Sequence, residues 1–323
     1  MHPNKKVRSV TTTPSSATVH CADGTSYTGT IVIGADGAHS LVRAQMRTLA
    51  LQSPSASSPS QINEDHPFLT TYRSLWIRFP TQADLQPGDA NETHGVDCAI
   101  QLFAGEETSV IGMYERLPEP TSERLRFSPA DEEAFIRRWG SLPLSPKLTV
   151  QDAYDSRVQS GLVSLEEGVV PHWSWGRIVL VGDAAHKFTP STGAGCNNGM
   201  VDVAALVNEL SRIVSATPQG EPSMGAIEKA FKAYQEKRFA EVVAGCAGAS
   251  KATATATWKN VLFKFVDVHV MSQQRVVKYM MQKQAPSIAA TPALEFLKDE
   301  ELPDGKVPWV RSRGFLLPRA VEV

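Results

Sequence analysis

Two aspartates stand where a carboxylate could do chemistry. Asp36 lies in the run Gly34-Ala35-Asp36-Gly37-Ala38-His39-Ser40-Leu41-Val42-Arg43, and Asp183 lies in Gly182-Asp183-Ala184-Ala185-His186. Each follows a short apolar run of buried-strand type, at 30–33 and 177–181. A carboxylate at the carboxyl end of a strand sits where open α/β sheets bind their ligands. Two such acceptors far apart in sequence predict one extended ligand with hydroxyl groups, and a dinucleotide carrying a sugar-alcohol chain has that form. A second chemistry is offered by Pro190-Ser191-Thr192-Gly193-Ala194-Gly195-Cys196-Asn197-Asn198. Glycines there let backbone lie against a flat ring. The helix that follows presents about half a positive charge at its amino end, which would stabilise an anionic ring.

Each of these residues also has a purely structural reading. Asp183 can cap the next helix, Pro190 can be turn chemistry, and 193–198 can be an ordinary loop-to-helix cap. Asp36 can cap a helix and Arg43 can form a surface ion pair. His39, His186 and Cys196 read as packing or backbone hydrogen-bonding groups, because a nucleophilic cysteine needs a partnered base. No metal-ligand spacing occurs in the sequence.

The elements that must position these groups follow from pattern. Residues 7–43 read as a β-hairpin and then a strand, with Ala22-Asp23-Gly24-Thr25 at the turn and 27–33 returning. The serine- and proline-rich stretch 51–62 predicts a surface loop. Period-two segments at 68–79, 96–103 and 108–117 predict antiparallel strands. Ser128-Pro129-Ala130-Asp131-Glu132 opens a helix that runs through Trp139. Helices are predicted over 198–214, with Met200, Val203, Leu206, Val207 and Leu210 on the buried stripe, then over 226–247 and 257–284. Residues 303–323 read as an irregular tail.

The runs at 34–43 and 176–202 resemble the second and third fingerprints of the FAD-dependent aromatic hydroxylases, the p-hydroxybenzoate hydroxylase-like flavoprotein monooxygenases. The wording from Lys187-Phe188-Thr189-Pro190 through Cys196-Asn197-Asn198-Gly199 is most similar to fungal members that epoxidise or hydroxylate terpenoid and polyketide-derived molecules. The resemblance implies an α/β fold: a Rossmann-like FAD-binding domain, an inserted antiparallel-sheet substrate domain and C-terminal helices. It implies that Asp183 accepts from the ribityl chain of FAD, and that Pro190, Gly193, Ala194, Gly195, Asn197 and Asn198 lie along the flavin. Asp36 would serve the pyrophosphate side, and Arg43 the nicotinamide cofactor. NADPH would reduce the flavin, and one oxygen atom of dioxygen would go to an alkene or aromatic carbon. Isoprenoid reductases share these fingerprints, so flavin ancestry is read more firmly than oxygenation.

No GxGxxG strand–turn–helix is present; Gly193-Ala194-Gly195 lacks the spacing. The expectation is therefore a partial FAD-binding domain over 1–50, a sheet domain over 66–175, the FAD-binding return over 176–218, and helices and tail over 219–323. The absent unit leaves an apolar strand with a bare edge, which a partner chain could complete. Three readings remain open: a flavin monooxygenase whose natural chain is longer, a cofactor-free cyclase or pericyclase, and a non-catalytic remnant. Tyr72, Arg73, Trp76 and Arg78 fall on the sheet that would roof the pocket, and alternation gives only one face to it.

Size and composition bound the rest. At 323 residues and 42% hydrophobic content the chain can bury two cores. A net charge of −2 gives no reason to expect nucleic acid or an anionic membrane surface. Four scattered cysteines, Cys21, Cys98, Cys196 and Cys246, read as free thiols in a reducing compartment. The basic start Met1–Lys6 has no apolar run after it, so the expected location is cytoplasmic. Charges interrupt 261–281, so no membrane span is expected there.

Overall fold

A computed structural model describes residues 1–53, 62–217, 221–296 and 307. Most of the serine-rich stretch and of the expected tail lies outside the described residues. The chain opens with β1 (Val7–Thr12), β2 (Ala17–Cys21) and β3 (Ser26–Gly29), an antiparallel meander. The predicted return strand breaks at Thr30-Ile31, and its second half, β4 (Val32–Gly34), enters a different sheet before α1 (Leu41–Gln52). Next come β5 (Leu69–Pro80), β6 (Ala90–His94), β7 (Cys98–Ala104) and β8 (Thr108–Thr121). Two helices follow, α2 (Pro129–Trp139) and α3 (Val150–Asp155), each opened by a reciprocal capping box, Ser128 with Asp131 and Thr149 with Asp152.

β9 (Gln159–Val169), β10 (Ser174–Trp175), β11 (Ile178–Leu180) and β12 (His186–Lys187) then lead into α4 (Ala194–Ser215). α5 (Met224–Ala256), α6 (Val261–Phe265) and α7 (Gln274–Ala289) complete the described elements. Six antiparallel strands pair in the order β12-β9-β5-β8-β7-β6. One face of this sheet buries Leu75, Ile77, Phe79, Ile100 and Met113 against Phe135 and Ile136 of α2. β12 belongs to this sheet although its residues fall after the expected 175/176 boundary, so the sheet itself reaches under the second aspartate turn.

The small sheet β10-β11-β4 carries the other core. Trp173, Leu180, Phe231 and Tyr234 are buried in it together with Val42 and Met46 of α1. Arg177, itself buried, donates to the Thr30 carbonyl at 2.9 Å and to Pro14, locking the meander onto β11. β4 pairs only with β11 among the described strands. The N–H of Val32 bonds to Arg177 and the carbonyl of Gly34 accepts from Val181, so Ile33 between them turns its backbone to the free edge.

Three helix expectations are corrected. α4 starts at Ala194, four residues earlier than expected, and Met200 and Val203 are 59% and 49% exposed instead of buried. The buried face of α4 holds Asp202, Ala205, Leu206 and Asn208, because the core side offers ionic and polar partners to that helix. The expected 257–284 helix is interrupted: Trp258 has φ 41°, residues 266–271 form a π-helical turn, and α7 begins only at Gln274.

Gly34 sits where β4, β11 and α1 converge. A Cβ there would stand 2.8 Å from Leu180 Cδ2 and 2.9 Å from Val42 Cγ1. Gly34→Ala is expected to destabilise the protein by about 1–3 kcal/mol through overpacking. A lowered denaturation midpoint at unchanged m-value checks this, and an unchanged midpoint refutes it.

Candidate functional site

The two aspartate turns leave neighbouring strands at the same end. β4 and β11 are parallel, with Val32 opposite Ile178, Ile33 opposite Val179 and Gly34 opposite Leu180. Gly182 takes φ +57°, a left-handed conformation that glycine adopts without steric cost, and this swings Asp183 out of the strand. The Asp183 carboxylate is part-exposed and holds Lys187 Nζ at 2.6 Å. It does not cap α4.

Asp36 is spent locally. Its Oδ2 accepts the Val42 N–H at 3.1 Å, and its Oδ1 accepts the Ser40 hydroxyl, while Ser40 Oγ accepts the Arg43 N–H at 2.9 Å. Asp36 and Ser40 together cap α1. Arg43 is not in a surface ion pair: it is buried, lies 4.8 Å over the Phe68 ring, and donates to Ala184 O at 2.8 Å and Ala38 O at 2.5 Å. Burial holds its pKa below the ordinary arginine value. Its guanidinium thereby ties the first aspartate turn to the second.

The amino end of α4 lies against the same turn, with a Cβ built on Gly199 only 3.6 Å from Gly182 Cα. Gly193 is the cap residue at φ +63°, and no side chain caps the first-turn amides. A Cβ added at Gly193 or Gly195 meets nothing within 4 Å, so the space over this backbone is open. Asn197 and Asn198 point back along the helix, donating to Gly193 O at 3.4 Å and Ala194 O at 2.9 Å. Pro190 opens the short 3-10 turn that precedes Gly193. Open glycine backbone, unspent amides and a part-exposed carboxylate therefore meet at one place. These groups fit the ring-and-ribityl part of FAD. On the pyrophosphate side Asp36 is already committed, and no glycine-rich phosphate turn occurs among the described residues.

Beneath this turn lies a buried ionic network whose role motif reading did not assign. Asp202 Oδ2 accepts the Gly182 N–H at 3.0 Å and faces His186 Nε2 at 2.5 Å; Asp202 Oδ1 accepts Arg238 Nε at 3.0 Å. Arg238 continues to Asn198 Oδ1 at 2.8 Å and to Glu241. His186 is fully buried against Trp173 and Phe188, and its Nδ1 has no partner. Burial alone would raise the Asp202 pKa, but His186, the Gly182 amide and Arg238 hold it below the usual carboxylate value. An ionised carboxylate makes Nε2 the protonated ring nitrogen of His186. The sequence signal was a charged residue between Val201 and Val203 on a helix that otherwise reads apolar.

The six-stranded sheet turns its other face toward this place. Residues directly opposite across strands share a face: Trp76 stands between Gly112 and Gly161, and Arg78 between Val110 and Gln159. Tyr72 shares that face but is buried under Thr257, whereas Arg73 points the other way, to Glu115 at 2.5 Å. Of the four pocket-sheet residues, Trp76 and Arg78 are thus on the open face. Phe103, Val110 and Val163 are exposed beside them. Tyr114 donates to Gln101 Oε1 at 2.6 Å, and Gln101 Nε2 donates to Ser191 O at 3.1 Å, fixing the sheet to the loop before α4. Burial pushes the Tyr114 phenol pKa up, so it stays a donor.

His39 is a surface group 3.2 Å from Glu166, and Cys196 is exposed. Among the described residues no His, Cys, Asp and Glu cluster could hold a metal ion, and no helix is long and apolar enough to cross a membrane.

Comparison with known proteins bears on the fold. The FAD binding domain family matches residues 146–240. The FAD-dependent monooxygenase verC1 of Penicillium polonicum is 32% identical over 281 residues, 83% of this chain and 34% of that protein. The FAD-dependent monooxygenase SAT1 of Stachybotrys chartarum is 36% identical over 165 residues, 51% of this chain and 56% of that protein. A salicylate hydroxylase structure with substrate superposes at TM-score 0.62 and 19% identity, covering 90% of this chain and 71% of that one. The chain thus spans about a third to three-fifths of the curated relatives it matches. The fold is the α/β fold of the FAD-dependent aromatic hydroxylases.

Asp202→Asn removes the buried counter-charge of Arg238, leaves it only the half-exposed Glu241 carboxylate, and is expected to cost about 2–4 kcal/mol. Because the Asp202 pKa is depressed on folding, its contribution is present above the ordinary aspartate value of 3.8 and is lost as pH falls through the lower folded value. Denaturation from pH 7 down to about pH 3 checks both: the wild type loses stability at the acid end, and the variant shows a smaller loss. Parallel acid profiles for the two proteins would refute the assignment.

Proposed function

We propose that this chain, a relative of the fungal FAD-dependent monooxygenases, holds the ring-and-ribityl half of FAD and hydroxylates or epoxidises a terpenoid- or polyketide-type small molecule with NAD(P)H as reductant. One observation supports the reading: the uncapped, open amino end of α4 lies against the Asp183 turn, and the Gln101–Ser191 bond ties the open face of the six-stranded sheet to the loop before that helix. FAD, when bound, supplies the redox chemistry and the activation of dioxygen.

The chain's own residues bind, orient and exclude water. Asp183 would accept from the ribityl hydroxyls. Backbone of 193–195 would lie along the ring, where first-turn amides and the helix dipole favour negative charge. Pro190, Asn197 and Asn198 hold that backbone in place. Trp76, Phe103, Val110 and Val163 give an apolar substrate a dry surface, and the Tyr114–Gln101 pair keeps the roof at a fixed height over the loop. In this reading a partner chain pairs with the free edge of β4 and adds the phosphate-binding turn. The free thiols Cys21, Cys98, Cys196 and Cys246 suit a reducing compartment such as the cytoplasm.

A second reading, a cofactor-free cyclase at the same place, is favoured by the commitment of Asp36 to α1. Flavin titration separates the two. The protein is expected to quench FAD fluorescence and shift its absorbance bands, and Asp183→Ala to weaken binding by about ten-fold with unchanged circular dichroism. Protein that ignores FAD but converts a polyene without NADPH would replace the first reading by the second.

A further inference from the structure

The last described helices bury almost nothing. Between residues 261 and 289 a single side chain, Ala289, is buried. Val261 and Leu262 are 85% and 68% exposed, and Phe265, Tyr279, Met281 and Ile288 are exposed as well. Isolated surface apolar residues are ordinary, but exposed apolar side chains recurring through successive helical elements are the pattern of an interaction surface.

Charge says what covers it. From Thr257 to Ala289 the chain carries Lys259, Lys264, Arg275, Lys278 and Lys283, against one carboxylate, Asp267. That carboxylate is already engaged, accepting the Trp258 indole N–H at 2.7 Å and facing His94 Nδ1 at 2.9 Å. A local excess of positive charge therefore stands on a chain whose net charge is −2. At 100° per residue, α7 places Val276, Val277, Met280, Met281 and Ile288 on one arc and Arg275, Lys278 and Lys283 on the other. Basic polar arc, apolar opposite arc and a length too short to span are the marks of a helix that lies in a membrane interface.

We infer that residues 259–289 form a peripheral docking surface for an anionic lipid bilayer, apolar side chains entering the acyl boundary and the five cations meeting headgroups. The surface is fixed to the body by backbone bonds from Gly95 to Ala256 and from Asp97 to Thr257, and by the His94–Asp267 contact. It thus holds the β6 side of the six-stranded sheet at the lipid. The inference is independent of flavin binding, and it revises the expectation from overall charge, which averages this patch with an acidic remainder.

Sedimentation with phosphatidylcholine vesicles, with and without phosphatidylserine, tests it. The full chain is expected to bind the phosphatidylserine vesicles, more weakly at high salt, and to bind neutral vesicles poorly. Lys278→Glu and Lys283→Glu are each expected to weaken binding by roughly five-fold or more. Leu262→Glu with Phe265→Glu is expected to abolish binding, with unchanged circular dichroism because both side chains are exposed. Failure of the wild type to bind overturns the inference. So does equal binding by all variants, or a concentration-dependent dimer that Phe265→Glu dissolves without any vesicle binding.

Discussion

One buried carboxylate holds the candidate site together. Asp202 receives the amide of Gly182, the ring of His186 and the guanidinium of Arg238, which come from the turn after β11, from β12 and from α5. No apolar contact could do this, because dispersion is non-directional and tolerates a shift of a few tenths of an ångström. A desolvated charge tolerates much less: each partner is needed to offset the cost of burial, so each partner is held in place. The turn that presents Asp183 and the helix end that presents Gly193 are thus positioned by the same atom group. Asn198, the next link through Arg238, carries that constraint to the first turns of α4.

Arg43 makes a second, weaker tie of the same kind. A guanidinium with two carbonyl partners and an aromatic face below it can be buried without a counter-ion, at the cost of a lowered pKa. It couples the two aspartate turns across 141 residues of sequence. The pairing of β4 with β11 sets their common direction, and Arg43 sets their spacing.

How far the sequence could be read depended on whether a feature was local. The capped start of α2 at Ser128-Pro129, the strands β5 and β8, and the meander turn at Ala22–Thr25 are decided by neighbours in sequence, and they stand where pattern placed them. The glycine-flanked aspartate at 182–184 was legible from resemblance together with its strand. The buried stripe of α4 was not, because an apolar period predicts an apolar neighbour and cannot anticipate that His186 and Arg238 wait on the core side. β6 escaped notice because Asn91, Glu92, Thr93 and His94 carry no apolar alternation. The break of the last helix at Trp258 follows from packing on the sheet edge at Gly95 and Asp97, a contact far away in sequence.

Three of the places where apolar side chains are exposed differ in their neighbours, and the meaning of the exposure changes with them. On β4, Ile33 is 45% exposed beside a strand edge with unpaired backbone, a setting that favours another strand because hydrogen bonds would be gained with the apolar contact. On the open face of the six-stranded sheet, Phe103, Val110 and Val163 share a face with Gln101, which bonds to Ser191 in the loop before α4, so apolar surface there stands on the side of the sheet that carries polar anchoring groups. On α6 and α7 the backbone is helical and offers no strand edge, and on α7 the apolar arc lies opposite a cationic one, so a pairing strand gains nothing there. A bilayer surface does. The hydrophobic effect supplies a driving force at all three places, but only the polar groups around each decide what can bind there.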